Sequence, residues 1–208
     1  MNAPNSPTKG TSTALYVLPE LPFAVDALAP VMSPLVLELH HDKHHAAYVK
    51  GANETVARMQ EAEPWQTPGL EQSLAFNVGG HLLHSLFWTC LSPAEQRPEG
   101  QLQAAITEQF GSFESFRKQF TQALTTVQGS GWAVLSWETS AQRLVIQQIH
   151  DHQGGHIVSA SPILVADAWE HAYYLDHHNA KDKWADAFFT LANWQQAGAR
   201  FSAMYESA

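Results

Sequence analysis

Asp167-Ala168-Trp169-Glu170-His171-Ala172-Tyr173-Tyr174 follows an apolar run, Ile163-Leu164-Val165-Ala166, that Pro162 opens. A short continuous apolar run bounded by proline predicts a buried strand. This strand ends in a carboxylate, and an imidazole follows four residues later. Four extended residues span roughly 13 Å, too far for one ion to bridge. For Asp167 and His171 to share an ion, the chain must turn directly after the strand, which predicts a helix over about 169–178. Both side chains are good ligands for first-row metals that also accept oxygen. A structural ion pair on a helix has the same spacing, so the rest of the chain has to decide.

Upstream, Trp132–Trp137 and Arg143–Ile149 are apolar runs joined by a short polar turn, which predicts a hairpin. The run at 162–166 adds a third strand. Before the hairpin, Gln101–Phe110 reads as a short helix. Ser112 then caps another, whose face carries Phe113, Phe116, Phe120 and Leu124, and Gly129-Ser130-Gly131 stops it. After residue 178 a last helix is expected over 182–204.

The first half is helical. Residues 15–33 hold several prolines and scattered apolar side chains, so they read as an extended segment laid over a core. Ser33-Pro34 starts the first long helix, with serine as cap and proline at the first helical position. Gly51 is expected to break or bend it, with a second stretch from Asn53 to about Ala62. The next helix runs from about Leu70 to Cys90, with Gly79-Gly80 inside it. Each glycine there costs roughly 1 kcal/mol against alanine, so something must approach closely at that point. Leu91-Ser92-Pro93 through Pro98-Glu99-Gly100 reads as a linker. The expected division is a disordered tail over 1–14, a helical hairpin domain over 15–95 and an α/β domain over 96–208. Helices, then helices with three strands, then helices make an α+β pattern.

Composition narrows the function. The chain has 208 residues, 45% hydrophobic, with a formal net charge of -9. No basic run could hold phosphates, which argues against a nucleic-acid partner. No apolar run could span a membrane. The small, polar first fourteen residues lack the apolar core of a secretory signal. Cys90, the one cysteine, cannot form an intrachain disulfide. Together these point to a cytoplasmic protein.

Histidine is in surplus, with twelve in the chain. His40, His44 and Tyr48 are spaced i, i+4, i+8 and share a helix face. His81 and His84 lie in an apolar segment, where a buried imidazole needs a hydrogen-bond partner or a metal. The H-E-x-x-H of zinc proteases is absent. Glu38-Leu39-His40-His41 is one Glu-x-x-His motif, and a di-iron bundle needs two. A mononuclear metal site is therefore favoured. A phosphate loop, a dinucleotide fingerprint and a nucleophile elbow are also absent.

Four blocks carry a resemblance: ELHHDKHHAAYVKGAN from Glu38, LAFNVGGHLLHSLFW from Leu74, VQGSGWAVL from Val127 and DAWEHAYYL from Asp167. With LPELPFAVDALAP before them, they resemble the iron/manganese superoxide dismutases, in the family's order, from about Tyr16 to the C-terminus. The resemblance implies an N-terminal antiparallel helical hairpin and a C-terminal α/β domain around a three-stranded antiparallel sheet. It implies one iron or manganese ion per subunit, held by His40, His84, Asp167 and His171, with His41 and His81 outside the ligand set. Three neutral imidazoles and one carboxylate supply a formal charge of about -1. An electron arriving at such a site is best matched by a proton, which keeps the buried charge constant. The implied reaction converts two superoxides and two protons into dioxygen and hydrogen peroxide.

The resemblance also implies what surrounds the metal. His44 and Tyr48 would line the substrate entrance and pass protons. Trp132 and Trp169 would wall the site. Glu170 would reach across a dimer interface to His171 of the partner subunit, and Tyr174 would meet the partner's His44. Lys181 would stand at the mouth of the entrance and attract the substrate anion. Two positions depart from the common pattern. Gly80 stands where iron enzymes of the family carry glutamine. His152, in IHDHQ, stands where manganese enzymes carry glutamine, and resembles actinobacterial iron members. His152 is expected to fill the space above Gly80, to donate a hydrogen bond to solvent at the metal, and to favour iron. The assembly is expected to be a homodimer or a tetramer. Two rivals stay open: a binding protein that keeps the fold without the chemistry, and an enzyme using the same site for other oxygen or peroxide chemistry.

Overall fold

The computed structural model describes residues 14–206. The expected tail lies outside them except for Ala14. A long helical rod opens the fold: α1 (Pro34–Leu37), a π-helical segment (Glu38–His45) and α2 (Ala46–Met59). Ser33 caps it, its side chain accepting from the Val36 N–H. In the π segment the Ala46 N–H reaches back to the His41 carbonyl, five residues away. Such widened turns are frequent at functional sites. Neither Gly nor Pro lies within Glu38–His45 to announce one.

Gly51 does not break the rod. A Cβ there would meet Asn77 Oδ1 of the facing helix at 2.2 Å, so glycine serves close approach instead. That facing helix is α3 (Thr67–Thr89), running antiparallel. Gly80 faces the Tyr48 ring, where a Cβ would come within 2.7 Å, and His45 bonds to His81. The N-terminal segment lies on the rod, though residues 25–31 form turns where an extended run was expected. Asn53 Oδ1 accepts from the Leu15 and Tyr16 N–H groups, and the His41 Nε2–H donates to the Pro19 carbonyl.

The second half starts with α4 (Gly100–Phe110) and α5 (Phe113–Thr125). Ser112 caps α5, which buries Phe116, Phe120 and Leu124. Strands β1 (Gly131–Glu138), β2 (Arg143–His150) and β3 (Ala160–Asp167) form an antiparallel sheet in the order β2-β1-β3. Pro162 sits in an edge strand, where its missing N–H is tolerated. The register breaks there: Ser136 pairs with Pro162 and Leu135 with Leu164. Beyond the break, Trp132 pairs with Asp167, so sheet register alone sets Trp132 beside the carboxylate that ends β3.

Two expected helices are corrected. The chain after β3 does not form one helix over 169–178. A 3-10 turn, Glu170–Ala172, is followed by the single-turn helix α6 (Tyr174–His177), and His178 ends it at φ 52. The expected 182–204 helix is two, α7 (Lys181–Leu191) and α8 (Trp194–Tyr205). Between them Ala192 bridges to Leu91, and the Asn193 N–H donates to the Cys90 carbonyl. Asn193 then caps α8 through its side chain. The break thus ties the C-terminal helices to the end of α3. No helix among the described residues is long and apolar enough to cross a membrane.

Candidate metal centre

Four elements converge on one point: the π segment brings His40, α3 brings His84, the end of β3 brings Asp167, and the 3-10 turn brings His171. One ligand atom from each lies within 4.8 Å of all the others. Asp167 Oδ2 is 3.2 Å from Nε2 of both His40 and His171, and 3.8 Å from Nε2 of His84. The two Nε2 atoms of His40 and His171 are 3.1 Å apart. First-row ions bind nitrogen and oxygen at roughly 2.0–2.2 Å, which sets neighbouring ligands at about these separations.

Hydrogen bonding on the outer side fixes which atoms face inward. His84 Nδ1 lies 2.7 Å from the Gly80 carbonyl, so Nδ1 carries the proton and Nε2 presents a bare lone pair. That Nε2 is buried with no hydrogen-bond partner among the described residues. Asp167 Oδ1 accepts from the Trp169 N–H at 2.8 Å, which leaves Oδ2 for the cluster. The Asp167 carbonyl accepts from the Trp184 indole at 2.7 Å. An orphaned nitrogen, a buried carboxylate and two facing imidazoles cannot all be satisfied by the few protons between them. An ion satisfies them at once, and three imidazoles with one carboxylate and no sulfur suit iron or manganese.

Electrostatics follow from burial. Desolvation holds His40 at a pKa of about 4 and His84 well below its ordinary value, so both imidazoles are neutral. For Asp167 burial works upward, but the flanking His171 and His40 outweigh it and keep the carboxyl ionised.

Around the cluster, His44 lies with its ring 3.9 Å from that of His171 and 4.8 Å from that of Tyr48. Burial holds it at about 3. Trp132 packs edge-on to His84, with centroids 4.9 Å apart. Trp169 stacks on His152 at 4.7 Å and 10°. His152 is 3% exposed; the polar sequence around it gives no hint of this. A Cβ on Gly79 would meet the His152 carbonyl at 2.5 Å, so the glycine pair admits both the His152 backbone and the Tyr48 ring.

His152 is not free to meet solvent in the way expected. Its Nδ1 accepts from the Trp132 indole at 3.1 Å. An indole N–H only donates, so the proton of the neutral ring is on Nε2. That nitrogen is 2.6 Å from the Tyr48 hydroxyl and donates to it. Burial keeps His152 at about 4 and pushes Tyr48 above its ordinary value. Trp132, His152 and Tyr48 therefore form a directed chain, in which the Tyr48 oxygen accepts and its O–H proton is not used.

Glu170 and Tyr174 do not join the cluster within one chain; both are exposed. Lys181 is half-buried. Burial lowers its pKa, against the opposing pull of Asp167 and Glu170. Sequence reading missed Trp184 and the pair His45 and His81, bonded at 2.9 Å. No spacing rule marks the first; the second was visible only as extra histidines.

Two family models match. The alpha-hairpin domain of the iron/manganese superoxide dismutases matches residues 15–92, and their C-terminal domain matches residues 98–200. A protein named superoxide dismutase [Fe] from Mycobacterium tuberculosis is 46% identical over 195 residues, covering 91% of this chain and 94% of the relative. One named superoxide dismutase [Mn/Fe] from Propionibacterium freudenreichii is 44% identical over 196 residues, 91% of this chain and 98% of the relative. One named superoxide dismutase [Mn] from Mycolicibacterium fortuitum is 44% identical over 195 residues, with 91% and 94% covered. The hairpin, the sheet and the four convergent side chains thus coincide with two matched domains that together span nearly the whole chain, which belongs to the iron/manganese superoxide dismutase family.

Proposed function

We propose that this chain is a superoxide dismutase holding one iron or manganese ion per subunit on His40, His84, Asp167 and His171. The observation that carries the reading is the meeting of these four ligand atoms within 4.8 Å, from four different elements. When bound, the ion supplies a one-electron couple that takes an electron from one superoxide and returns it to a second. The chain's own residues manage protons and access. Tyr48, held by His152 Nε2–H, presents its hydroxyl proton inward, and its raised pKa keeps that proton on. His44 sits beside it at the entrance. Trp132 and Trp169 exclude water on the remaining sides. Lys181 contributes positive potential that attracts the anion despite the chain's net charge of -9.

The reading includes a homodimer, with tetramer assembly as the larger alternative. His171 turns Nε2 to the cluster, and its Nδ1 makes no hydrogen bond among the described residues. Glu170 of a partner subunit would accept from that Nδ1–H and orient the ligand, and Tyr174 would reach the partner's His44. The segment carrying Glu170 and Tyr174 is tied to the start of the rod: the Ser33 N–H donates to Asp176, and His177 to the Val31 carbonyl. Exposed Leu35, Leu39, Tyr174 and Leu175 lie on these two segments, which supports a buried interface there.

Iron is the favoured metal, on the presence of His152. The division at 95/96 and a cytoplasmic location belong to the same proposal; the buried, unpaired Cys90 accords with a reducing compartment. Metal analysis coupled to a superoxide-consumption assay tests the proposal. Metal-dependent consumption supports it. A metal-loaded protein that consumes no superoxide would leave the fold without this chemistry.

A further inference from the structure

His40 differs from His84 and Asp167 in how it is held. The Gly80 carbonyl orients His84, and the Trp169 N–H orients Asp167. Nδ1 of His40 is buried and meets no acceptor among the described residues. Away from the cluster its ring is held by packing, edge-on to Trp88 at 4.8 Å and tilted against Phe87 at 5.6 Å.

Trp88 in turn is fixed by a hydrogen bond. Its indole N–H donates to His45 Nδ1 at 3.0 Å. The neutral His45 must then carry its proton on Nε2, which donates to His81 Nδ1 at 2.9 Å. His45 is fully buried, and its ring also stacks on the ligand His84, with centroids 5.3 Å apart at 23°. The π segment makes this possible. It carries His40 toward the cluster and His45 toward α3, so one widened stretch of helix supplies both a ligand and the residue behind it.

We propose that His45 is a positioning residue for the metal: hydrogen-bonded between Trp88 and His81, it locks the indole that orients His40 and flanks the ring of His84. The inference rests on the proposed ligand set. Its consequence is that preorganisation of two ligands from two helices depends on a buried polar chain that never touches the ion. Outer partners of metal ligands typically change affinity by roughly 10–100-fold.

The test uses three variants in the full chain. His45→Phe removes both hydrogen bonds. Trp88→Phe removes only the indole donor and keeps an aromatic ring beside His40. His45→Gln keeps an acceptor for Trp88 and a donor for His81. Each protein is stripped of metal, and its dissociation constant for manganese(II) is measured by chelator competition. The stability of the stripped protein and the visible absorption of the oxidised manganese form are recorded alongside. The expected result is a loss of affinity of roughly 10–100-fold for His45→Phe and Trp88→Phe, a shifted absorption band, and return to within a few-fold for His45→Gln. A role in packing alone would lower the stability of the stripped protein and leave affinity and absorption unchanged. That outcome overturns the inference. If His45→Phe fails to fold, Trp88→Phe decides by the same criteria. An unmodified protein that binds no manganese(II) would instead overturn the ligand assignment itself.

Discussion

His152 is the residue whose replacement separates the structural account most sharply from its rivals. It accepts from Trp132 with one nitrogen and donates to Tyr48 with the other. Trp132 is fully buried and Tyr48 is 6% exposed, so water cannot replace a lost partner without rearrangement. His152→Leu orphans a buried indole N–H and removes a donor from a buried phenol. Each unsatisfied group costs about 1–3 kcal/mol, so the variant should lose about 2–6 kcal/mol. His152→Gln keeps both polarities, with its amide oxygen toward Trp132 and its amide nitrogen toward Tyr48. It should lose less than about 1 kcal/mol, within the usual range for a replaced hydrogen bond. Urea unfolding of the metal-free proteins at pH 7 measures both. The same two proteins, loaded with each metal, report on chemistry. His152→Gln should change the ratio of iron-supported to manganese-supported activity at unchanged metal content, because the Tyr48 proton is held differently. A His152→Leu protein within about 0.5 kcal/mol of the unmodified chain would refute the hydrogen-bond reasoning. So would a His152→Gln protein destabilised as much as His152→Leu.

Other expected outcomes follow from the same geometry. Lys181→Glu should slow superoxide consumption most at low ionic strength and reduce the salt dependence of the rate; an unchanged rate and slope would remove Lys181 from the mechanism. Glu170→Ala should weaken dimerisation and metal retention together, measured by sedimentation and metal analysis, whereas a metallated, active monomer of the unmodified chain would contradict the interface reading. Acid should destabilise the metal-free protein well before the carboxylates titrate. His40 and His152 are held at about 4, His44 and His45 at about 3, and His84 well below 6.5. The unfolded chain binds these protons near 6.5 and the folded chain does not. Stability is therefore full above that pH and is lost as pH falls through 6.5 toward 4 and 3. A urea midpoint that stays flat between pH 7 and pH 5 would contradict this.

Part of the site was legible because helical spacing is a local property, while the choice of His40 and His84 over His41 and His81 came from the family resemblance. His40, His44 and Tyr48 share a face, and the Asp167–His171 spacing required a turn after β3. The form of that turn was not legible: one 3-10 turn brings Nε2 of His171 to 3.2 Å from Asp167, and no long helix is needed. Gly51 misled because low helix propensity is a weak prior that close helix packing overrides. Asn193, a good N-cap, went unread because apolar residues flank it on both sides. The widening at Glu38–His45 has no compositional mark, since neither Gly nor Pro lies within it. His152 looked like a loop residue in HDHQGGH, because its burial depends on Gly79, more than seventy positions earlier.

The most direct measurement is metal content and superoxide consumption on the same preparations of the unmodified chain and of Asp167→Ala. The unmodified chain should carry close to one iron or manganese ion per subunit and consume superoxide in proportion to its occupancy. Asp167→Ala removes the one anionic ligand, whose Oδ2 lies within 3.8 Å of all three imidazole nitrogens, and should lose both metal and activity. Full occupancy with undiminished superoxide consumption in Asp167→Ala would contradict the account.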